Sequence, residues 1–168
     1  MLLDTIYFDR NPVRFLRKRG MKIGDGCRIL CGLASFGSEP FLITLGNHVT
    51  ITGSVTFITH DGGVWIFREA EPDIDFFGSI TIGNNVFIGM RSIILPNVSI
   101  GDNSVIGAGS VVARSIPPNS IAAGTPARVL KSASEYRKKI ALGETHIRNL
   151  PPSEKERILR QRFGLLNH

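Results

Sequence analysis

Cysteine and long apolar runs are scarce in this 168-residue chain, and each scarcity excludes a class of protein. Two cysteines are too few for a disulfide-stapled fold, and Cys27 and Cys31 lack the further ligands that a structural zinc site needs. No stretch approaches the roughly 20 apolar residues of a membrane-spanning helix, and the opening MLLDTIYFDR carries Asp4 where a secretory signal is apolar. We therefore expect a cytoplasmic protein without a transmembrane segment.

Positive charge is in excess, with a formal net charge of +6. Lys and Arg are concentrated near the N-terminus and again between Arg128 and His168. A basic surface attracts polyanions, but no nucleic-acid-binding motif accompanies the charge, so we expect no nucleic-acid partner. A phosphate-bearing substrate also suits such a surface.

An aliphatic residue returns at every sixth position through the middle of the chain. Neither an α-helix nor an ordinary strand has this period, whereas a short fixed repeat is typical of a β-helix. Three hexads make one coil, and successive coils stack at the strand separation of about 4.8 Å. The pattern predicts an all-β parallel β-helix with coils at residues 45–62, 82–99 and 100–117 and a partial coil before them. The clearest aliphatic positions are Ile82, Ile88, Ile94, Ile100, Ile106 and Val112.

Two segments interrupt the repeat. The stretch CGLASFGSEPF is several residues too long for one side of a coil, and residues 62–79 form an excursion between Phe57 and Ile82. A long loop that leaves a rigid scaffold is usually functional or disordered, and its aromatic residues argue against disorder. The aromatic residues of this extruded loop are Trp65, Phe67, Phe76 and Phe77.

The two ends of the chain carry helical signals. Residues 8–19 predict a short helix, and residues 132–168 predict a helical tail, because Ser132 with Glu135 and Ser153 with Glu156 each have the spacing of a capping box. We interpret residues 1–168 as a single domain whose β-helix covers about 21–131.

The segment ITIGNNVFIGMRSIILPNVSIGDNSVIGAGSVVARSIPPNSIAAGTPARVLK resembles the hexapeptide-repeat acyltransferases. It is most similar to the galactoside, xenobiotic and capsular-polysaccharide O-acetyltransferases. The resemblance implies a left-handed β-helix, a homotrimer with active sites in clefts between neighbouring subunits, and acetyl-CoA as acyl donor. It also implies transfer to a hydroxyl group of a sugar, preferably in a cell-surface polysaccharide or its precursor.

By the same resemblance, His60 in FITHDGG occupies the position of the family's general base. An imidazole can accept a hydroxyl proton near neutral pH, and the oxygen then attacks the thioester carbonyl without a covalent acyl-enzyme. Such a base needs an acceptor on its other ring nitrogen. Glu39, Asp61 and Asp75 are the candidates, and the sequence does not choose among them.

The resemblance also implies which residues bind acetyl-CoA. Main-chain groups at the hexad corners contact the pantetheine arm, and basic side chains after the last coil meet the nucleotide phosphates. At Met90 and Ala113 the family more often has a polar residue, which matters little if the contacts are through the backbone. The matching positions are Met90, Ala108, Ala113, Arg114, Arg128 and Lys131.

Three other functions share this scaffold. An amino-sugar N-acetyltransferase uses the same base on an amine, and a non-catalytic β-helix binds partners without chemistry. A zinc carbonic anhydrase of this shape holds its metal with three histidines, but His48 and His60 are expected on different faces of one coil. We expect no metal. The loop aromatics either line the acceptor site or pack between subunits.

Overall fold

The computed structural model describes Phe8 and residues 11–165. The chain divides into two compact units, Met1–Tyr136 and Arg137–His168, and the described strands all lie in the first. The strands are β1 (Lys22–Ile23), β2 (Arg28–Ile29), β3 (Ile43–Leu45), β4 (Thr50–Ile51), β5 (Thr56–Phe57), β6 (Ile80–Ile82), β7 (Phe87–Ile88), β8 (Ile93–Ile94), β9 (Ser99–Ile100), β10 (Val105–Ile106), β11 (Val111–Val112), β12 (Ser120–Gly124) and β13 (Ala127–Ser132).

The strands form three sheets that the chain visits in turn. Sheet A has the order β1-β3-β6-β9, sheet B has β2-β4-β7-β10-β12-β13, and sheet C has β5-β8-β11. All neighbours are parallel except β12 and β13. The sheets are therefore the three sides of a prism, and the turns between them form three corners, which we name A–B, B–C and C–A.

The hexad sets the register of this prism. Ile51 pairs with Ile88, and Ile88 pairs with Ile106, so equivalent residues three hexads apart lie on one another. The second residue of each two-residue strand points inward and is buried, whereas its neighbour faces outward. The predicted parallel β-helix is thus confirmed as a stack of parallel strands around one aliphatic core.

Polar residues at corner A–B join one coil to the next. The Asn85 side chain donates from Nδ2 to Asn103 Oδ1 at 2.9 Å, and Asn103 donates to Asn119 Oδ1 at 3.2 Å. His48 ends this ladder, with Nδ1 2.9 Å from Asn85 Oδ1. These four residues have φ between 53° and 57°, a left-handed turn conformation that Asn tolerates better than most residues.

Close stacking also explains a corner glycine. A Cβ at Gly89 would lie 2.5 Å from the backbone nitrogen of Ala108 in the next coil. Because a side chain there would push two coils apart, glycine after the inward aliphatic residue is a packing requirement.

The N-terminal end of the prism is closed by aromatic and aliphatic side chains. Helix α1 (Pro12–Lys18) is capped by Asn11 and buries Leu16, in agreement with the helix predicted near residues 8–19; residues 9 and 10 lie outside the described part. A 3₁₀ helix, Leu33–Phe36, replaces the third strand of the first coil. Its Phe36 stacks on Phe57 of β5, with ring centroids 5.4 Å apart and planes 11° from parallel.

The helices after β13 agree only partly with the predicted capping boxes. Helix α2 (Ala133–Ala141) begins with the predicted box, since Ser132 N donates to Glu135 Oε2 at 2.7 Å and Glu135 N donates to Ser132 Oγ at 3.2 Å. The second predicted box is wrong. Helix α3 (Pro152–Arg162) begins one residue before Ser153, so that serine lies inside the first turn. Within the described residues, no helix is long and apolar enough to cross a membrane.

The inward aliphatic residues should carry most of the stability. Ile82 is buried in β6 and its neighbour Thr81 is exposed on the same strand. We expect Ile82→Ala to lower the free energy of unfolding by about 2–5 kcal/mol, because it leaves a cavity between coils. Thr81→Ala should change it by less than about 0.5 kcal/mol. Urea denaturation followed by circular dichroism at one protein concentration measures both, and equal losses would contradict the assignment of the inward face.

Candidate active site

His60 lies at corner C–A, where the extruded loop leaves the prism after β5. It forms an isolated antiparallel bridge with Phe77, and hydrogen bonds on either side close the base of the loop. Asp61 N donates to Phe76 O at 2.9 Å, and Gly78 N donates to Thr59 O at 2.8 Å. The two ends of the loop therefore meet at His60, whose side chain stays 46% exposed.

Among the three open carboxylates, Glu39 is the partner of His60. The Nδ1 atom of His60 lies 3.3 Å from Glu39 Oε2. The Glu39 side chain is only 18% exposed, and the same oxygen accepts a hydrogen bond from Thr59 Oγ1 at 3.0 Å. Asp61 instead caps the 3₁₀ helix Gly62–Phe67 by accepting from Gly63 N at 2.9 Å.

Asp75 has a local role within the loop. Its Oδ1 accepts from Phe76 N at 3.1 Å and lies 3.7 Å from Arg68 Nη2. The Arg68 guanidinium in turn lies 6.0 Å from the centroid of the Trp65 ring. Asp75 thus stabilises the loop conformation and does not contact His60.

The excess residues before β3 position Glu39. Phe36 is fully buried against Phe57, and Pro40 is buried at the start of the 3₁₀ helix Pro40–Leu42. Glu39 lies between these two anchors, and its carbonyl accepts from Leu42 N at 3.0 Å. The sequence showed that this segment has extra residues but not what they contact. Nothing in the hexad period indicates that Glu39 contacts His60 in the next coil.

The bond to Glu39 determines which ring nitrogen of His60 is available for chemistry. A carboxylate accepts hydrogen bonds, so Nδ1 carries the proton that bonds to it. In the neutral ring, Nε2 then holds the lone pair and can accept a proton from a hydroxyl group. The pair therefore has the arrangement of a general base with an orienting carboxylate.

The residues expected to bind acetyl-CoA lie at two corners and on the final hairpin. Met90 and Ala108 are stacked at corner B–C, where Gly109 N donates to Met90 O at 2.8 Å. Ala113 and Arg114 follow β11 at corner C–A, two coils beyond His60. Ala113 and Ala108 are exposed, and no hydrogen bond within residues 11–165 engages the backbone N–H of either.

The two basic candidates lie on β13. Arg128 pairs with Ala123 and Lys131 with Ile121 of β12, so both belong to the hairpin that closes the C-terminal end of sheet B. Arg128 is exposed, and Nη1 donates to the carbonyl of Ala127 at 3.0 Å. Neither residue has an ion-pair partner in the described part of the chain.

His48 and Cys31 have structural roles in the prism. His48 bonds to Asn85 at corner A–B, so His48 and His60 lie on different corners, as the sequence predicts. Burial raises the pKa of the Cys31 thiol, which keeps it protonated and unsuited to nucleophilic attack. Residues 11–165 contain no group of three or more His, Cys, Asp or Glu that could hold a metal ion.

Known proteins match this chain in sequence and in fold. The model of the bacterial transferase hexapeptide family (six repeats) matches residues 79–114. Protein CapG of Staphylococcus aureus is 52% identical over 149 residues, which cover 88% of this chain and 87% of that protein. The galactoside O-acetyltransferase of Escherichia coli (strain K12) is 43% identical over 98 residues, 58% of this chain and 47% of that enzyme. The chain thus spans about half of the galactoside enzyme.

Two solved structures are similar in fold. A hexapeptide-repeat acetyltransferase from Vibrio cholerae, whose structure is also known in complex with acetyl-CoA, has a TM-score of 0.56 and 32% identity, covering 67% of this chain and 62% of that one. A maltose O-acetyltransferase from Clostridium difficile 630 has a TM-score of 0.51 and 30% identity, covering 71% and 73%. Together with the match to Protein CapG over nearly its whole length, they show that this chain belongs to the hexapeptide-repeat acyltransferase family.

Proposed function

We propose that this protein transfers the acetyl group of acetyl-CoA to a hydroxyl group of a sugar, with His60 as general base. The observation that carries the proposal is the contact between His60 Nδ1 and Glu39 Oε2 at the base of the extruded loop. Relatives that are galactoside and maltose O-acetyltransferases support oxygen, rather than nitrogen, as the acceptor atom.

The proposed reaction is a direct transfer. Nε2 of His60 takes the proton of the acceptor hydroxyl while its oxygen attacks the thioester carbonyl carbon. The tetrahedral intermediate collapses, the carbon–sulfur bond breaks, and the CoA sulfur leaves with the proton held by His60. Glu39 keeps Nδ1 protonated and stabilises the positive ring that forms between the two proton transfers.

The proposed acetyl-CoA site uses the corners and the final hairpin. The unpaired N–H groups of Ala108 and Ala113 suit the amide carbonyls of a pantetheine arm, and such a backbone contact does not depend on the side chain at Ala113. Arg114, Arg128 and Lys131 supply positive charge for the phosphates. The proposal also includes a left-handed coil and a homotrimer, because the resemblance implies both. It includes a cytoplasmic location, because acetyl-CoA is the donor.

The proposed acceptor is a sugar of a cell-surface polysaccharide or of its precursor. The loop beside His60 exposes Trp65, Phe67, Phe76 and Phe77, and aromatic rings offer flat apolar surfaces of the kind that sugar rings contact. The ring of Phe77 is nearest to the base, with centroids 6.1 Å apart.

Removing the base should abolish transfer without removing donor binding. We expect His60→Ala to lower kcat by about 10²–10⁴-fold, the usual contribution of a general base. The binding constant for acetyl-CoA should stay within about twofold, because the proposed donor contacts lie elsewhere. Free-thiol release with sugar hydroxyl and amino-sugar acceptors measures turnover, and calorimetry measures binding. Normal turnover in this variant would refute the mechanism.

Removing the charge of Glu39 should slow the same step less severely. We expect Glu39→Gln to lower kcat by about 10–100-fold while the KM values for both substrates stay nearly constant, because the amide keeps the shape but stabilises the charged ring less well. Asp75→Asn is the matched control, since this carboxylate contacts only the loop. An equal loss of kcat in both variants would mean that the effect is structural.

The phosphate contact can be tested on the final hairpin. Arg128→Ala should raise the KM for acetyl-CoA by about two- to fivefold at low salt, the scale of an exposed ionic contact, with less effect at high salt. Arg160→Ala serves as control because it removes a cation that pairs with Glu156 at 2.8 Å. An unchanged KM for Arg128→Ala would show that the phosphates bind elsewhere.

A further inference from the structure

We infer that Thr59 is a positioning residue for catalysis, acting through Glu39 on His60. The inference rests on the proposed role of His60 as general base. Thr59 is not among the residues that the resemblance implies, and its side chain is buried. Its importance follows from its hydrogen bond to the oxygen atom of Glu39 that His60 also contacts.

The shared atom is Oε2 of Glu39. Thr59 Oγ1 donates to it at 3.0 Å, and His60 Nδ1 approaches it at 3.3 Å. Adjacent residues of a strand point to opposite faces, but these two lie at corner C–A, where the chain turns into the loop and both side chains reach one carboxylate. The hydroxyl therefore holds the oxygen that His60 requires.

Burial makes the hydroxyl a fixed donor. Thr59 is 1% exposed, so its hydroxyl has no access to bulk water and its bond to Glu39 is the one that satisfies it. An unpaired buried hydroxyl is costly, so breaking the Thr59–Glu39 contact without a replacement partner would be unfavourable. His60 is half exposed, and its contact with Glu39 is longer, at 3.3 Å.

The backbone around Thr59 and Glu39 is also fixed. The carbonyl of Thr59 accepts from Gly78 N at 2.8 Å, which ties it to the far end of the loop. On the other side, Gly37 adopts a φ of 60°, and a Cβ there would lie 4.0 Å from both Glu39 Oε2 and Thr59 Oγ1. The backbone of Gly37 therefore lies close to both oxygen atoms, and Gly78 holds the backbone of Thr59.

Three matched variants test the inference. Thr59→Val removes the hydroxyl but keeps the shape, and we expect kcat to fall about tenfold, the scale of one hydrogen bond to a charged group, with both KM values unchanged. Thr59→Ser keeps the hydroxyl and should restore kcat to within about twofold of the wild type. Ser104→Ala removes another buried hydroxyl, which bonds to Pro117 O at 3.2 Å near corner A–B, and should lower stability without changing kcat.

A double-mutant cycle separates action through Glu39 from a general packing effect. If Thr59 acts through Glu39, Thr59→Val should cause no further loss of kcat in the Glu39→Ala background. The same tenfold loss in that background, or a Thr59→Ser enzyme as slow as Thr59→Val, would overturn the inference. Wild-type kcat in Thr59→Val would also overturn it.

A spectroscopic measurement tests the positioning without relying on turnover. In long-range ¹H–¹⁵N spectra, with the His60→Ala variant used for assignment, neutral His60 should have its proton on Nδ1 in the wild type and a mixture of tautomers in Thr59→Val. Unchanged tautomers would count against the inference. A different outcome would separate the two proposals. If Thr59→Val shifts the tautomers but His60→Ala is fully active, the positioning effect stands and the proposed function is refuted.

Discussion

The stacking of one coil on the next is the constraint on which the rest of this structure depends. An inward aliphatic residue such as Ile88 lies between its equivalents Ile51 and Ile106 in the neighbouring coils. A single coil therefore has no core of its own. Both ends of the stack need a cover, which Phe36 and α1 supply at one end and the β12–β13 hairpin at the other. Insertions are tolerated only where the chain turns, because an extra residue within a side would move every aliphatic residue out of register.

This constraint places the candidate site. Two insertions occur in successive coils, one before β3 and one after β5, and they meet at corner C–A through Glu39 and His60. The coils hold the backbone at both ends of each insertion, and the insertions supply the polar groups that the coils lack. A buried hydroxyl, a mostly buried carboxylate and a half-exposed imidazole follow one another from the core to solvent. The prism therefore positions this histidine–carboxylate pair at its surface, where substrates can reach it.

The hexad made the parallel β-helix predictable, since its period belongs to one architecture, whereas Met90 and Ala108 were expected at the site only from the family resemblance. Pairings outside the repeat could not be predicted in the same way. Glu39, Asp61 and Asp75 were equivalent in sequence, and the choice of Glu39 depends on Phe36 and Pro40 anchoring an irregular segment against the next coil. The second capping box failed for a local reason, because Pro152 starts α3 before Ser153 can cap it.

The candidate acetyl-CoA residues lie on two corners, which bears on the proposed assembly. Ala108 and Met90 are at corner B–C, Ala113 is at corner C–A with His60, and sheet C separates them. A ligand that one chain holds by both corners must cross the outer face of sheet C. That face presents the half-buried apolar side chains of Ile93 and Val111. A ligand that lies between two copies can contact corner B–C of one copy and corner C–A of the other without crossing this face. The second copy would then cover the apolar side chains. The homotrimer of our proposal, with its sites between subunits, is compatible with this distribution of candidate residues.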